Sequence, residues 1–154
     1  MKKVLFVCTG NTCRSPMAEG IFRKLAGEKN LEIEILSAGI FASDGMRASD
    51  EAVKAAAEQG VNISKHVSQS ITHEILRDAD LVLTMTNGHK QLLHQKTPEF
   101  KDKIFTLKEY NSRNSLKEDV DIDDPFGKGL TAYRSCMEEL DKEICMLLEG
   151  IEEK

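Results

Sequence analysis

Val4-Leu5-Phe6-Val7-Cys8-Thr9-Gly10-Asn11-Thr12-Cys13-Arg14-Ser15-Pro16 is the stretch whose reading decides the fold. Val4 to Cys8 is short, apolar, β-branched and aromatic, the pattern of a buried strand. Gly10 lies in the loop that ends it, and Ser15-Pro16 reads as a helix start, with Ser at the N-cap and Pro at the first helical position. The helix that follows carries Met17, Ile21, Phe22 and Leu25 on one face. Strand, tight loop, helix is the opening of an α/β unit.

The alternation continues along the chain. Glu32–Leu36 reads as a second strand, closed by Ser37-Ala38-Gly39. Ser49 caps a helix through Ala52, Val53, Ala56 and Ala57, and Gly60 stops it. Thr72 opens a short helix through Ile75 and Leu76, Leu81–Met85 is a third strand, and a helix around His89–Lys96 ends before Pro98. Lys103–Leu107 is a fourth strand. Residues 109–128 are polar and read as a long surface loop, which in a compact domain is usually functional. The last helix is marked by Leu130, Tyr133, Met137, Leu140, Ile144, Leu147 and Ile151, stepping by three or four residues. Strands alternating with helices predict a parallel sheet covered on both faces, in three layers. In open sheets of this kind ligands bind beyond the carboxyl ends of the strands. That rule puts the Cys8–Ser15 loop and the Asp123-Asp124-Pro125 segment at one edge.

Bulk properties narrow the function. The 154 residues suit one domain, taken as 1–154. The formal net charge of −5 gives no general attraction for nucleic acid or an anionic membrane. Any positive field for an anion must be built locally. The apolar run Val4–Val7 is too short for a signal-peptide core or a membrane span, so a cytoplasmic protein is expected. Asn62-Ile63-Ser64 matches a glycosylation sequon that has no meaning there. Four cysteines, Cys8, Cys13, Cys136 and Cys145, do not make a disulfide scaffold. No Cys-x-x-Cys pair or His-rich cluster suggests zinc, and neither metal nor cofactor is expected. Cys136 and Cys145 fall on opposite sides of the last helix and read as structural. His73, His89 and His94 have no metal spacing and read as surface residues.

The loop carries the chemistry. Its backbone N–H groups, Thr9 to Ser15, can converge on one anion, and the helix N-terminus adds partial positive charge. Gly10 permits backbone angles other residues resist. Arg14 offers a planar fork able to grip two phosphoryl oxygens. The same field should lower the Cys8 thiol and make it a nucleophile. Ser15 can donate a hydrogen bond to the Cys8 sulfur and ease its departure. Cys13, in the same loop, can capture a Cys8 sulfenic acid as a disulfide, or simply pack as a small side chain. A spacing of Cys-x5-Arg is unspecific alone; the strand before it, the glycine inside it and the Ser-Pro after it supply the context.

At these residues the chain resembles the low-molecular-weight protein tyrosine phosphatase family over nearly its whole length. Ser37-Ala38-Gly39, His66-Val67 and Asp124-Pro125-Phe126 also fit that family's pattern. The resemblance implies a flavodoxin-like α/β fold with a four-stranded parallel sheet, a metal-free reaction and usually a monomer. It makes Cys8 the nucleophile, Arg14 the phosphoryl clamp and Asp124 the general acid. Asp123 is the rival acid, but Asp124 directly precedes Pro125. Asn11 would shape the loop through His66, with Ser37 supporting, and Phe126 would wall the entrance. Tyrosine-specific members usually carry Ile where this chain has Thr12. Thr12, with Asp124-Pro125-Phe126-Gly127 and Phe105–Tyr110, resembles the protein arginine phosphatase branch, which removes phosphate from phosphoarginine on proteins. Thr is smaller than Ile and its hydroxyl can hydrogen-bond a guanidinium; the alternative is a neutral β-branched exchange.

Other readings stay open. A phosphotyrosine phosphatase would use the same chemistry on a different leaving group. Arsenate reductases share the loop but need further cysteines after the third strand, and residues 82–97 contain none. A cysteine phosphocarrier or a redox-sensing module are the non-enzyme alternatives.

Overall fold

In the computed structural model, which describes residues 1–112 and 119–152, β1 (Lys3–Cys8) is an interior strand of a four-stranded sheet. It pairs in parallel with β2 (Glu34–Gly39) on one side and β3 (Leu81–Thr84) on the other. β4 (Ile104–Thr106) completes the order β2-β1-β3-β4, also parallel. Val4, Phe6 and Cys8 face one hydrophobic cluster, and Leu5 and Val7 face another. The alternation that normally separates core from solvent here separates two cores.

The larger core lies under α1 (Arg14–Glu28), α2 (Asp50–Glu58) and α6 (Leu130–Glu152). Met17, Phe22, Ala52, Met137 and Ile144 fill it, and Phe22 meets Phe6 edge to face at 6.0 Å. The smaller core lies under α3 (His73–Asp78) and α4 (Asn87–Lys96), through Leu76 and Leu93. The predicted flavodoxin-like three-layer α/β architecture with a four-stranded parallel sheet is what forms.

Most predicted caps appear where local chemistry demands them. The Ser49 side chain accepts from the Ala52 N–H, and Thr72 accepts from the Ile75 N–H. Most boundaries shift by a residue or two, and three of the shifts bear on the site. Ser37–Gly39 belongs to β2 rather than closing it, because Cys8 pairs as far as Gly39. The fourth strand stops at Thr106, where a capping box with Glu109 starts α5 (Leu107–Asn111). So the predicted 109–128 loop begins as helix; its residues 113–118 lie outside the described residues, and the stretch from 119 to the start of α6 is irregular. Finally, α1 starts at Arg14 with Cys13 as its N-cap, and Cys13 makes no side-chain cap bond. Ser15 is not the cap, because its hydroxyl is turned to the Cys8 sulfur at 2.8 Å. Pro16 still sits in the first turn, where its missing N–H costs nothing. Among the described residues no helix is long and apolar enough to cross a membrane.

Candidate active site

β1 ends at Cys8, β2 at Gly39 and β3 at Thr84, all on one edge of the sheet. The acid segment reaches the same edge through its backbone: the Ile122 N–H donates to the Met85 carbonyl at 2.8 Å, one residue past β3. A cavity of about 230 Å³ opens there, lined by Cys8, Thr9, Gly10, Thr12, Cys13, Arg14, Asp124 and Phe126. All three predicted catalytic residues share it.

Asn11 sets the loop's shape. It takes the left-handed backbone turn, with φ +56°, where Gly10 was expected to supply the unusual geometry. Asn tolerates that region better than most residues. Its Nδ2 donates to Ser15 Oγ at 2.8 Å and Ser37 Oγ at 2.9 Å. Its Oδ1 accepts from the Gln69 N–H at 2.9 Å, and its carbonyl accepts from His66 Nε2 at 2.8 Å. The expected contact with His66 therefore runs through the Asn11 backbone. Ser37 in turn donates to Glu19 Oε1.

The sequence reads Gly39 only as part of the Ser37-Ala38-Gly39 segment, without a role of its own in the site. A Cβ there would sit 2.5 Å from the Thr9 carbonyl and 2.9 Å from the Asn11 N–H nitrogen. Only glycine lets β2 end this close beneath the loop. The close approach is used at once: the Ile40 and Phe41 N–H groups donate to the Cys8 and Thr9 carbonyls, both at 2.9 Å.

Cys8 is only 2% exposed. Its sulfur receives the Asn11 N–H at 3.2 Å and lies 2.8 Å from Ser15 Oγ. Burial is the largest influence on the thiol and raises it above its ordinary value. Ser15, the Arg14 charge and the Asn11 N–H pull it back. The loop does gather the positive groups foreseen, but they act on a sulfur removed from water, and the expected net lowering is not reached.

Arg14 is buried, and its guanidinium spans the two halves of the site. Nη1 donates to the Ile122 carbonyl at 3.0 Å, and Nη2 donates to Thr9 Oγ1 at 3.4 Å. Nη2 also lies 3.7 Å from Asp124 Oδ2. Asp124 accepts the Phe126 N–H at 3.1 Å, and the exposed Phe126 ring borders the cavity. Asp123 does not line that cavity; it borders a separate one with Cys136. The Cys13 sulfur lies 3.3 Å from Tyr133 Oη and 3.5 Å from Ser49 Oγ.

His89 corrects the sequence reading: it is buried, with Nε2 only 2.8 Å from Thr9 Oγ1. The signal was 80 residues away from the loop, and only Thr86, three residues before His89, hinted at a cap. His73 is exposed as expected, while His94 reaches the Ile104 carbonyl at 3.1 Å.

Comparison with known proteins agrees with this geometry. The family model described as low molecular weight phosphotyrosine protein phosphatase matches residues 3–154. A protein-arginine-phosphatase of Bacillus subtilis is 42% identical over 139 residues, covering 90% of this chain and 89% of that protein. A solved structure of the YwlE arginine phosphatase, a mutant with a phosphorylated active-site serine, superposes with a TM-score of 0.91 at 39% identity. It covers 97% of this chain and 95% of its own. The low molecular weight protein tyrosine phosphatase from T. tengcongensis also superposes at 0.91, with 46% identity, 97% of this chain and 99% of that one. A loop holding Cys8 and Arg14 at the first strand end, an Asp-Pro segment facing it, and a family model that matches residues 3–154 lead to one conclusion: the chain belongs to the low molecular weight phosphotyrosine protein phosphatase family.

Proposed function

We propose that this chain is a protein-arginine phosphatase that removes phosphate from phosphoarginine on proteins by way of a cysteinyl-phosphate. The observation that carries the phosphatase chemistry is the convergence of Cys8, Arg14 and Asp124 on one cavity. Cys8 attacks phosphorus as the thiolate, its proton having passed to solvent. The P–N bond breaks as the S–P bond forms, and Asp124, entering protonated, gives its proton to the leaving nitrogen. Arg14 and the loop N–H groups take up charge on the phosphoryl oxygens. Water then attacks phosphorus, Asp124 takes its proton, the S–P bond breaks, and Ser15 hydrogen-bonds the departing sulfur. No metal or other cofactor enters either step.

Thr12 supports the choice of guanidinium. It is a wall of the same cavity, half-buried, and presents a short side chain with a hydroxyl. Ile would add a methyl group and remove the acceptor. The relatives named arginine phosphatases support the same reading. Phosphotyrosine is the second reading, favoured by the 46% identity to a protein named a tyrosine phosphatase. Paired assays on phosphoarginine and phosphotyrosine peptides decide between them. Preference for phosphoarginine that shifts toward phosphotyrosine in Thr12→Ile is expected. An unchanged ratio removes Thr12 from the selectivity argument. Sustained phosphate release excludes a phosphocarrier.

Cys13 is proposed to close a disulfide on a peroxide-formed Cys8 sulfenic acid, releasing water. To do so it must leave Tyr133 and Ser49. Mass analysis after peroxide treatment is expected to find the Cys8–Cys13 bridge; Cys8 sulfinic acid without a bridge would count against it.

A further inference from the structure

Thr9 is a loop residue whose hydroxyl has a partner on α4, outside the loop. The chain of constraint starts at α4. The Thr86 N–H donates to His89 Nδ1 at 3.3 Å, so that nitrogen must carry a lone pair. A neutral imidazole with Nδ1 unprotonated carries its proton on Nε2. Nε2 lies 2.8 Å from Thr9 Oγ1 and therefore donates to it. Arg14 Nη2, which can only donate, reaches the same oxygen at 3.4 Å. A hydroxyl oxygen has two lone pairs and one proton. With both lone pairs taken, the Thr9 proton has to point elsewhere. Thr9 is exposed and lines the cavity with Cys8, Arg14 and Asp124.

We propose that His89 is a positioning residue: through its Nε2–H it orients the Thr9 hydroxyl so that Thr9 donates a hydrogen bond to the phosphoryl group held over Cys8. This rests on the phosphatase reading given above. The ring is suited to the task because it stays neutral. Burial and the nearby Arg14 charge lower it to about 4, against the opposing pull of Asp121 and Asp124. A second proton would also set Nδ1–H against the Thr86 N–H.

Two measurements test it. Nitrogen-15 NMR of the wild-type ring reads the tautomer directly: Nε2–H at pH 7 is expected, and Nδ1–H overturns the proposal. Orthovanadate affinity is then read across wild type, Thr9→Val, His89→Leu and the double variant. Losing one hydrogen bond to a charged group predicts roughly a 10- to 150-fold loss for Thr9→Val. His89→Leu should lose a similar factor, and the double variant no more than Thr9→Val alone. Losses that multiply overturn the role of His89. Thr9→Ser, which keeps the hydroxyl, should stay close to wild type; a loss equal to that of Thr9→Val also overturns it. If His89→Leu does not fold, the tautomer and the Ser/Val pair still decide. Wild-type protein that binds no vanadate sinks the phosphatase reading as well, whereas tight wild-type binding with multiplying losses sinks only this one.

Discussion

Asn11 in the phosphate loop is wholly buried and makes five hydrogen bonds, through its N–H, its carbonyl and its side-chain amide. Asp124, across the cavity, has a side chain 53% exposed and hangs on a segment tied down at few points. Among the described residues these are the buried Ile122, whose N–H donates to Met85 and whose carbonyl accepts from Arg14, the 3.7 Å approach of Asp124 to Arg14, and Asp121 Oδ1 accepting the Asn87 N–H at 2.7 Å. The difference matches the two tasks proposed for these halves. Anion binding and sulfur activation need several dipoles fixed before substrate arrives. A proton donor needs one atom within reach of the leaving group and contact with water afterwards. The nucleophile half is therefore expected to fail through geometry and electrostatics together, losing anion binding with turnover, and the acid half to lose turnover with little change in anion binding.

The largest effect is expected from Cys8→Ser, which should abolish turnover while leaving the fold intact, since the hydroxyl occupies less space than the thiol. Release of phosphate at the wild-type rate would end the covalent mechanism. Asp124→Asn comes next, with turnover down roughly 10²–10⁴-fold and vanadate affinity nearly unchanged. A comparable loss of vanadate affinity would show that the exposed half helps to hold the anion.

Gly39→Ala attacks the boundary beneath the buried half. Its Cβ would meet backbone atoms of Thr9 and Asn11, which cannot swing aside. Overpacking of this kind costs about 1–3 kcal/mol, so a lower melting temperature and weaker vanadate binding are expected together. Melting and affinity equal to wild type would show that the loop can move as a unit.

Ser15→Ala is the electrostatic counterpart. Ser15 is the strongest of the groups that lower the Cys8 thiol against its burial. Removing it raises the thiol further, so the pH profile of Cys8 alkylation by iodoacetamide should move to higher pH. A move to lower pH would mean that the Ser15 hydroxyl accepts from the thiol rather than donating to the sulfur.

This contrast also explains what could be read from the chain before its structure. β1, α6 and the caps at Ser49 and Thr72 were legible because their signals are local: apolar period, or a side chain reaching a backbone group three residues on. The Thr106-x-x-Glu109 capping box was equally local and could have corrected the end of β4. Cys8, Arg14 and Ser15 were legible as neighbours because sequence spacing brings them together; Asp124 joined them only through the family resemblance, which rests on the residue before Pro125. His89 and Gly39 were not legible. Their importance lies in contacts with Thr9 and Asn11, made across strands that only the folded sheet sets side by side. Ser15 misled as a cap because the Cys8 sulfur competes for the same hydroxyl.

The smallest effect, and the sharpest test of independence between the halves, is expected from Asp121→Ala. Asp121 holds the first N–H of α4 with a carboxylate, a helix-end interaction worth about 0.3–1 kcal/mol. It lies three residues before Asp124, so losing it loosens the acid segment without touching the phosphate loop. Turnover should fall a few-fold as Asp124 spends less time in reach of the leaving atom. Vanadate affinity should hold, because Arg14 keeps its bonds to the Ile122 carbonyl and Thr9. Two contacts could link the halves: that Ile122 carbonyl, which belongs to the acid segment yet orients Arg14, and the 3.7 Å approach of Arg14 Nη2 to Asp124 Oδ2. If vanadate affinity falls by the same factor as turnover, Arg14 has followed the segment, and the two loops act as one device joined at Arg14.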